Sequence, residues 1–107
     1  MTNELAAWVR AQVDEDEDLL HHGEWALDRI EPGHPDAAAY LRLCDPDRGR
    51  AEIAAKRSII DMWADAECEA AQDLTDVTAA AEAHTLGLVI ELIAQVYVGR
   101  PGWEEAR

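Results

Sequence analysis

Five consecutive carboxylates, Asp14, Glu15, Asp16, Glu17 and Asp18, are the side chains best placed to do chemistry in this sequence. On a helix Asp14, Glu17 and Asp18 share one face, while Asp16 turns toward the apolar side with Val9, Val13 and Leu20. Hard oxygens spaced in this way suit either a divalent cation such as Mg²⁺ or the basic surface of another protein. A third reading is pairing at home, with Arg48, Arg50, Lys56 and Arg57, which crowd one short central segment. That cluster could equally hold a phosphate, helped by the positive end of a helix, but it has no interleaved aromatics. Pairing with the chain's own carboxylates is the stronger expectation for it.

An enzyme of the Mg²⁺ type needs more than one acidic pair. All-α nucleotide pyrophosphohydrolases set Glu-x-x-Glu and Glu-x-x-Asp pairs on helices to hold the metal against substrate phosphates. Asp14-x-x-Glu17 would be the first pair here, and Asp73-x-x-Asp76, or Asp61 with Asp65, would have to be the second. Neither reproduces the pattern, no phosphate loop accompanies them, and such spacings arise readily among 23 acidic residues. No catalytic residue is assigned, and no cofactor is expected. His21 and His22 are expected to close the first helix, where an imidazolium suits the negative end. With Cys44 they lack any zinc-ligand spacing. Cys44 and Cys68 offer no Cys-x-x-Cys pair and read as reduced thiols. His84 and Glu91, two turns apart on the last long helix, read as a polar strip with Gly87 and Gln95.

These groups need helices to position them. Thr2 or Asn3 caps the first, with Glu4 in its first turn, and Leu5, Trp8, Val9, Val13, Leu19 and Leu20 form its apolar stripe up to Gly23. The acidic run then lies toward the helix's negative end, where each carboxylate costs roughly 0.3–1 kcal/mol. The like-charged pair Asp14 and Asp18 adds about 0.2–0.5 kcal/mol, so something outside the helix must offset the run. Between Glu24 and Asp45 the turn Glu31-Pro32-Gly33-His34-Pro35-Asp36 is clear, but its flanks, Trp25–Ile30 and Ala37–Cys44, fit either a small hairpin or a short helix capped by Asp36. Asp45-Pro46 opens a second helix, running to about Gln72 with Ile53, Ile60, Trp63 and Ala70 inward. Asp73 or Thr75 opens a third, ending at Gly99 before Arg100-Pro101. Its broad apolar face, from Val77 through Leu88, Leu92 and Val96, suits the centre of a bundle or half of a dimer interface. Trp103, in the Pro101-Gly102-Trp103 turn, either clasps the tail to the bundle or anchors a partner.

The expected fold is therefore mostly α: one domain over residues 1–107, a small three-helix bundle with room for a short β-hairpin between the first two helices. No basic leader followed by an apolar stretch opens the sequence, and the apolar run Leu86–Val98 is too short to span a bilayer, so a cytoplasmic protein is expected, with no membrane. A net charge of −14 argues against direct nucleic-acid binding.

Three stretches carry a resemblance. They are Val13-Asp14-Glu15-Asp16-Glu17, then Asp45-Pro46-Asp47-Arg48 leading into Ala55-Lys56-Arg57-Ser58-Ile59-Ile60-Asp61, and the ending Tyr97-Val98-Gly99-Arg100-Pro101-Gly102-Trp103-Glu104-Glu105. In that order the chain resembles a family of short proteins of actinobacteria and their bacteriophages, known as a domain of unknown function. The resemblance implies a phage or high-GC actinobacterial source, and no activity. The resemblance implies that many members carry a cysteine pair between the second and last helices, where this chain keeps only Cys68.

The function expected is non-catalytic: an accessory protein that binds a host or phage protein with a basic surface through Asp14, Glu15, Glu17 and Asp18, with Trp103 as a second contact. One version imitates nucleic-acid charge to inhibit an enzyme. The alternatives are a small Mg²⁺-dependent nucleotide pyrophosphohydrolase and a structural subunit of an oligomer, a homodimer through the third helix.

Overall fold

The computed structural model of the chain describes residues 3–27 and 46–107. Helix α1 spans Asn3–Leu27, α2 spans Pro46–Gln72 and α3 spans Val77–Ala94; a 3₁₀ turn, Gln95–Tyr97, extends α3, and a short α4 covers Trp103–Ala106. No strand occurs among the described residues. The mostly helical expectation holds. The hairpin is corrected at its first residues, because Trp25–Leu27 belong to α1; the rest of it lies outside the described residues.

Leu5, Ala6, Val9, Gln12 and Val13 form the buried stripe of α1, three to four residues apart as an inward helix face requires. Two details of the expected stripe are wrong. Leu19 is 62% exposed, and the inner position belongs to Leu20, whose methyl carbons lie so near Gly49 of α2 that a Cβ there would meet them at 3.2 Å. Nor does Gly23 end the helix. A helical glycine costs about 1 kcal/mol against alanine, and the helix formers Glu24 to Leu27 carry α1 past it.

Helix α2 starts at Pro46, where a proline's missing N–H is no loss, and it ends at Gln72 as expected. Ile53, Ile60, Trp63 and Ala66 point into the core. The connection to α3 is made by two aspartates with different tasks. Asp73 accepts from the Thr75 backbone N–H (2.9 Å) and hydroxyl (2.6 Å), closing the turn. Asp76 caps α3, accepting from the Ala79 N–H at 2.9 Å. The cap is thus neither Asp73 nor Thr75, because those two already satisfy each other.

Ala79, Ala83, Gly87, Ile90 and Ala94 are the buried face of α3. Four of the five are small, which lets α3 approach α2 closely, and these two helices form the most extensive pairing among the described elements. Over Val77–Tyr97 this helix is long and apolar enough to cross a membrane by length and composition. That span is longer than Leu86–Val98, although Glu82, His84 and Glu91 interrupt it.

The regular part of α3 stops at Ala94, not Gly99. After the 3₁₀ turn, left-handed glycines at Gly99 (φ 87°) and Gly102 (φ 88°) reverse the chain and lay the tail across α1. There the Trp8 indole N–H donates to the Pro101 carbonyl at 2.9 Å, and the rings of Trp8 and Trp103 tilt together with centroids 5.5 Å apart. A side chain at position 102 would have its Cβ 2.7 Å from Trp8 Nε1, so glycine is required by space as well as by φ.

Candidate functional site

Two surfaces decide what the molecule has to offer. On the first, the acidic run meets cations brought by tertiary structure. Arg57 of α2 donates to Asp14 at 2.6 Å and to Glu17 at 2.5 Å, one guanidinium serving two carboxylates a helical turn apart. The Arg57 hydrogen bond holds the Glu17 carboxyl below its usual range, and Glu17 and Asp14 in turn raise the arginine. The arrangement supplies the outside compensation that the run's position in α1 demands.

On the same turn, facing inward, Asp16 is half-buried in a denser cluster. It accepts from the Tyr97 hydroxyl at 2.8 Å and from Arg100 at 3.0 Å. The Tyr97 hydroxyl accepts from Lys56 at 2.9 Å, and both Lys56 and Arg100 lie over its ring, at 4.9 and 4.7 Å from the centroid. Tyr97 is buried, which pushes its phenol above the ordinary value. Arg100 also reaches the Gln12 side chain at 3.4 Å and approaches Glu15 at 4.0 Å. Gln12, Asp16, Lys56, Tyr97 and Arg100 therefore tie α1, α2 and the C-terminal turn together.

Of the expected partner-binding residues, Asp14 and Glu17 are consumed by Arg57, Glu15 is weakly engaged, and Asp18 is exposed. Trp103 is 8% exposed and sits in the clasp, so it is a packing residue and not a presented anchor. The basic cluster does not form one site. Arg48 pairs with Glu52 at 3.5 Å, Arg50 with Asp47 at 2.9 Å, Lys56 turns to Tyr97 and Arg57 to α1. The acidic pairs needed by a Mg²⁺ hydrolase are otherwise occupied: Asp61 binds Arg10 at 2.8 Å, Asp73 closes its turn, and Asp76 caps α3. Among the described residues no three His, Cys, Asp or Glu side chains are grouped to hold a metal ion. His21 and His22 lie inside α1, not at its end, and the Asp18 carbonyl accepts from His22 Nδ1 at 2.7 Å. Cys68 is a free, exposed thiol; Cys44 lies outside the described residues.

The second surface is the outer face of α3. Leu88, Leu92 and Val96, one turn apart, are 49%, 70% and 70% exposed. Val77 and Leu74 extend the exposed apolar surface toward the start of the helix. Beside this face α2 and α3 part to leave a groove of about 720 Å³, with Met62, Ala66, Val77, Ala81 and Leu86 among its walls. A smaller cleft of about 290 Å³ lies on the other flank, between Trp63, Glu67, His84, Gly87 and Glu91. His84 and Glu91 thus border a recess whose floor is a buried glycine.

A model of one protein family matches residues 2–106, nearly the whole chain. The chain belongs to that family of unknown function (DUF6221). No curated protein and no solved structure matches the chain. Membership in DUF6221 carries no activity with it, so the function must come from the geometry. Within the family's matched span, sequence reasoning missed Tyr97 and Arg100 as partners of Asp16, and Gln12 as a further contact of Arg100. The available signal was modest: Asp16 is the one acid of the run on the apolar side of α1, and Arg100 is the first cation after a gap that begins at Arg57.

Proposed function

We propose that this chain is a non-catalytic protein-binding module that meets its partner through the outer face of α3. The observation that carries the reading is the exposed row Leu88, Leu92 and Val96 on a helix whose opposite face already fills the core. A contiguous apolar patch of this kind on a small domain marks an interaction site. The acidic run supports a partner less well, because Arg57 and Arg100 match Asp14, Glu17 and Asp16.

A second reading keeps the acidic surface. The 23 carboxylates outnumber the 9 lysines and arginines, and Glu15 and Asp18 remain largely exposed, which favours a basic protein partner or the imitation of nucleic-acid charge. Salt separates the two readings. Docking on α3 survives high salt, whereas docking on carboxylates weakens as screening rises. The motifs and the wealth of Ala, Asp, Glu and Arg support a source in a high-GC actinobacterium or its phages, with the cytoplasm as the place of action.

The test places a photo-crosslinking residue, p-benzoylphenylalanine, at Leu92 in one variant and at Asp18 in another, each expressed in an actinobacterial cell. Discrete adducts from position 92 that persist at high salt are expected. Adducts from position 18 alone, lost at high salt, would transfer the function to the acidic surface.

A further inference from the structure

We infer that the partner covering this face is a second copy of the chain, with the two α3 helices packed antiparallel so that the ridge of each fills the groove of the other. The inference rests on α3's outer face being the docking surface. It follows from how that face is divided along its length. The first half is hollow, with small side chains at Ala81 and Thr85 beside the groove of about 720 Å³. The second half is raised by Leu88, Leu92 and Val96. Ala81, Thr85, Leu88 and Leu92 are spaced four, three and four residues apart, the spacing of a seam at which two helices pack knobs into holes.

Orientation is decided by size. In a parallel pair each position meets its own equivalent, so leucine stands against leucine and hollow against hollow. An antiparallel pair with its two-fold axis between Leu86 and Gly87 sets Ala81 opposite Leu92 of the partner copy and Thr85 opposite Leu88, and then repeats both contacts by symmetry. A two-fold interface of this sort is self-complementary without any second kind of surface. The same register brings His84 beside Glu91 of the partner copy, while Glu82 on the other flank meets Val89. The groove's rim carries Asp65, Glu69 and Glu82, and the ridge that enters it is uncharged. From Ala81 to Leu92 the seam runs about 17 Å along α3. With the exposed Met62, Leu74 and Val77 it offers on the order of 500 Å² per copy, where specific interfaces begin. Two bodies of charge −14 repel, so added salt tightens this dimer, the opposite of its effect on a carboxylate-mediated complex.

The full chain, with Cys44→Ser and Cys68→Ser, serves as background for Ala81→Cys and Leu92→Cys, with Thr85→Cys and Leu88→Cys as a second pair. Oxidation is expected to link Ala81→Cys to Leu92→Cys when the two proteins are mixed, and neither to itself. Sedimentation of the wild type is expected to show a monomer–dimer equilibrium that shifts toward dimer with salt. Leu92→Glu, with its helical circular dichroism retained, should raise the dimer Kd by roughly tenfold or more. Self-linking of Ala81→Cys would overturn the antiparallel arrangement. A wild-type monomer throughout the micromolar range would overturn the second copy as occupant; photo-adducts to another protein from position 92 would then still uphold the docking face, and their absence would remove both.

Discussion

The edge where α1 meets α2 and the C-terminal turn, and the outer face of α3, treat unfavourable side chains in opposite ways. The first edge holds five adjacent acids that local helix electrostatics disfavour, and it answers them with Arg57, Arg100, Lys56 and the Tyr97 hydroxyl. The outer face of α3 holds apolar residues that water disfavours, and among the described residues nothing covers them. Clustered charge can be neutralised by two or three cations arriving from distant segments. An apolar row can be relieved only by area, and the buried face of α3 has already taken the area that α1 and α2 supply. Surplus apolar surface is thus a stronger pointer to a partner here than surplus charge.

The largest effect should separate two neighbours on one helix. Ile90→Ala removes a fully buried side chain and is expected to cost about 2–5 kcal/mol. Leu92→Ala, measured at concentrations where the chain is monomeric, should stay within about 0.5 kcal/mol. Urea denaturation of both checks this, and equal losses would break the contrast between the faces of α3. Next, Tyr97→Phe removes the hydroxyl between Lys56 and Asp16 and is expected to cost about 1–3 kcal/mol. It should also change the alkaline limb. Burial raises the Tyr97 phenol above 10.0 in the folded chain, so an unfolded chain loses that proton first. The corresponding stability is whole below pH 10.0 and is lost as pH rises toward the raised value; the Phe variant should lack that loss.

The smallest effect belongs to the exposed clamp. The Arg57 hydrogen bond lowers the Glu17 carboxyl beneath 4.5. Its contribution is present above that value and disappears as pH falls through the lowered one. Glu17→Gln should therefore flatten the acid limb slightly in a pH series of melting curves, while a large drop at neutral pH would show that the clamp organises the fold.

What could be read from the sequence was what local chemistry controls. The opening of α2 at Pro46 and its end at Gln72 follow from residue types within a few positions. The end of α1 was misplaced because a glycine's cost is modest beside the packing of a long helix. Leu19 and Leu20 are adjacent, and only the approach of Gly49 tells which one turns inward. Pairing of the run with the basic cluster was foreseeable for Arg57. Arg48 and Arg50, two turns earlier on α2, have carboxylates of their own helix within reach instead. The Asp16–Arg100 pair joins residues 84 positions apart, and the inward turn of Asp16 and the isolation of Arg100 were the local hints of it.

The Trp8–Pro101 hydrogen bond links positions separated by 93 residues, so it draws nearly the whole polypeptide into a ring. Bringing such distant points together costs about 4 kcal/mol of loop entropy, far more than a single hydrogen bond returns. The α2–α3 hairpin has a short connection and closes cheaply. Folding should therefore begin with that hairpin, and the tryptophan latch should set last, so that fluorescence of Trp8 and Trp103, with Trp25 and Trp63 replaced by Phe, reports the final step.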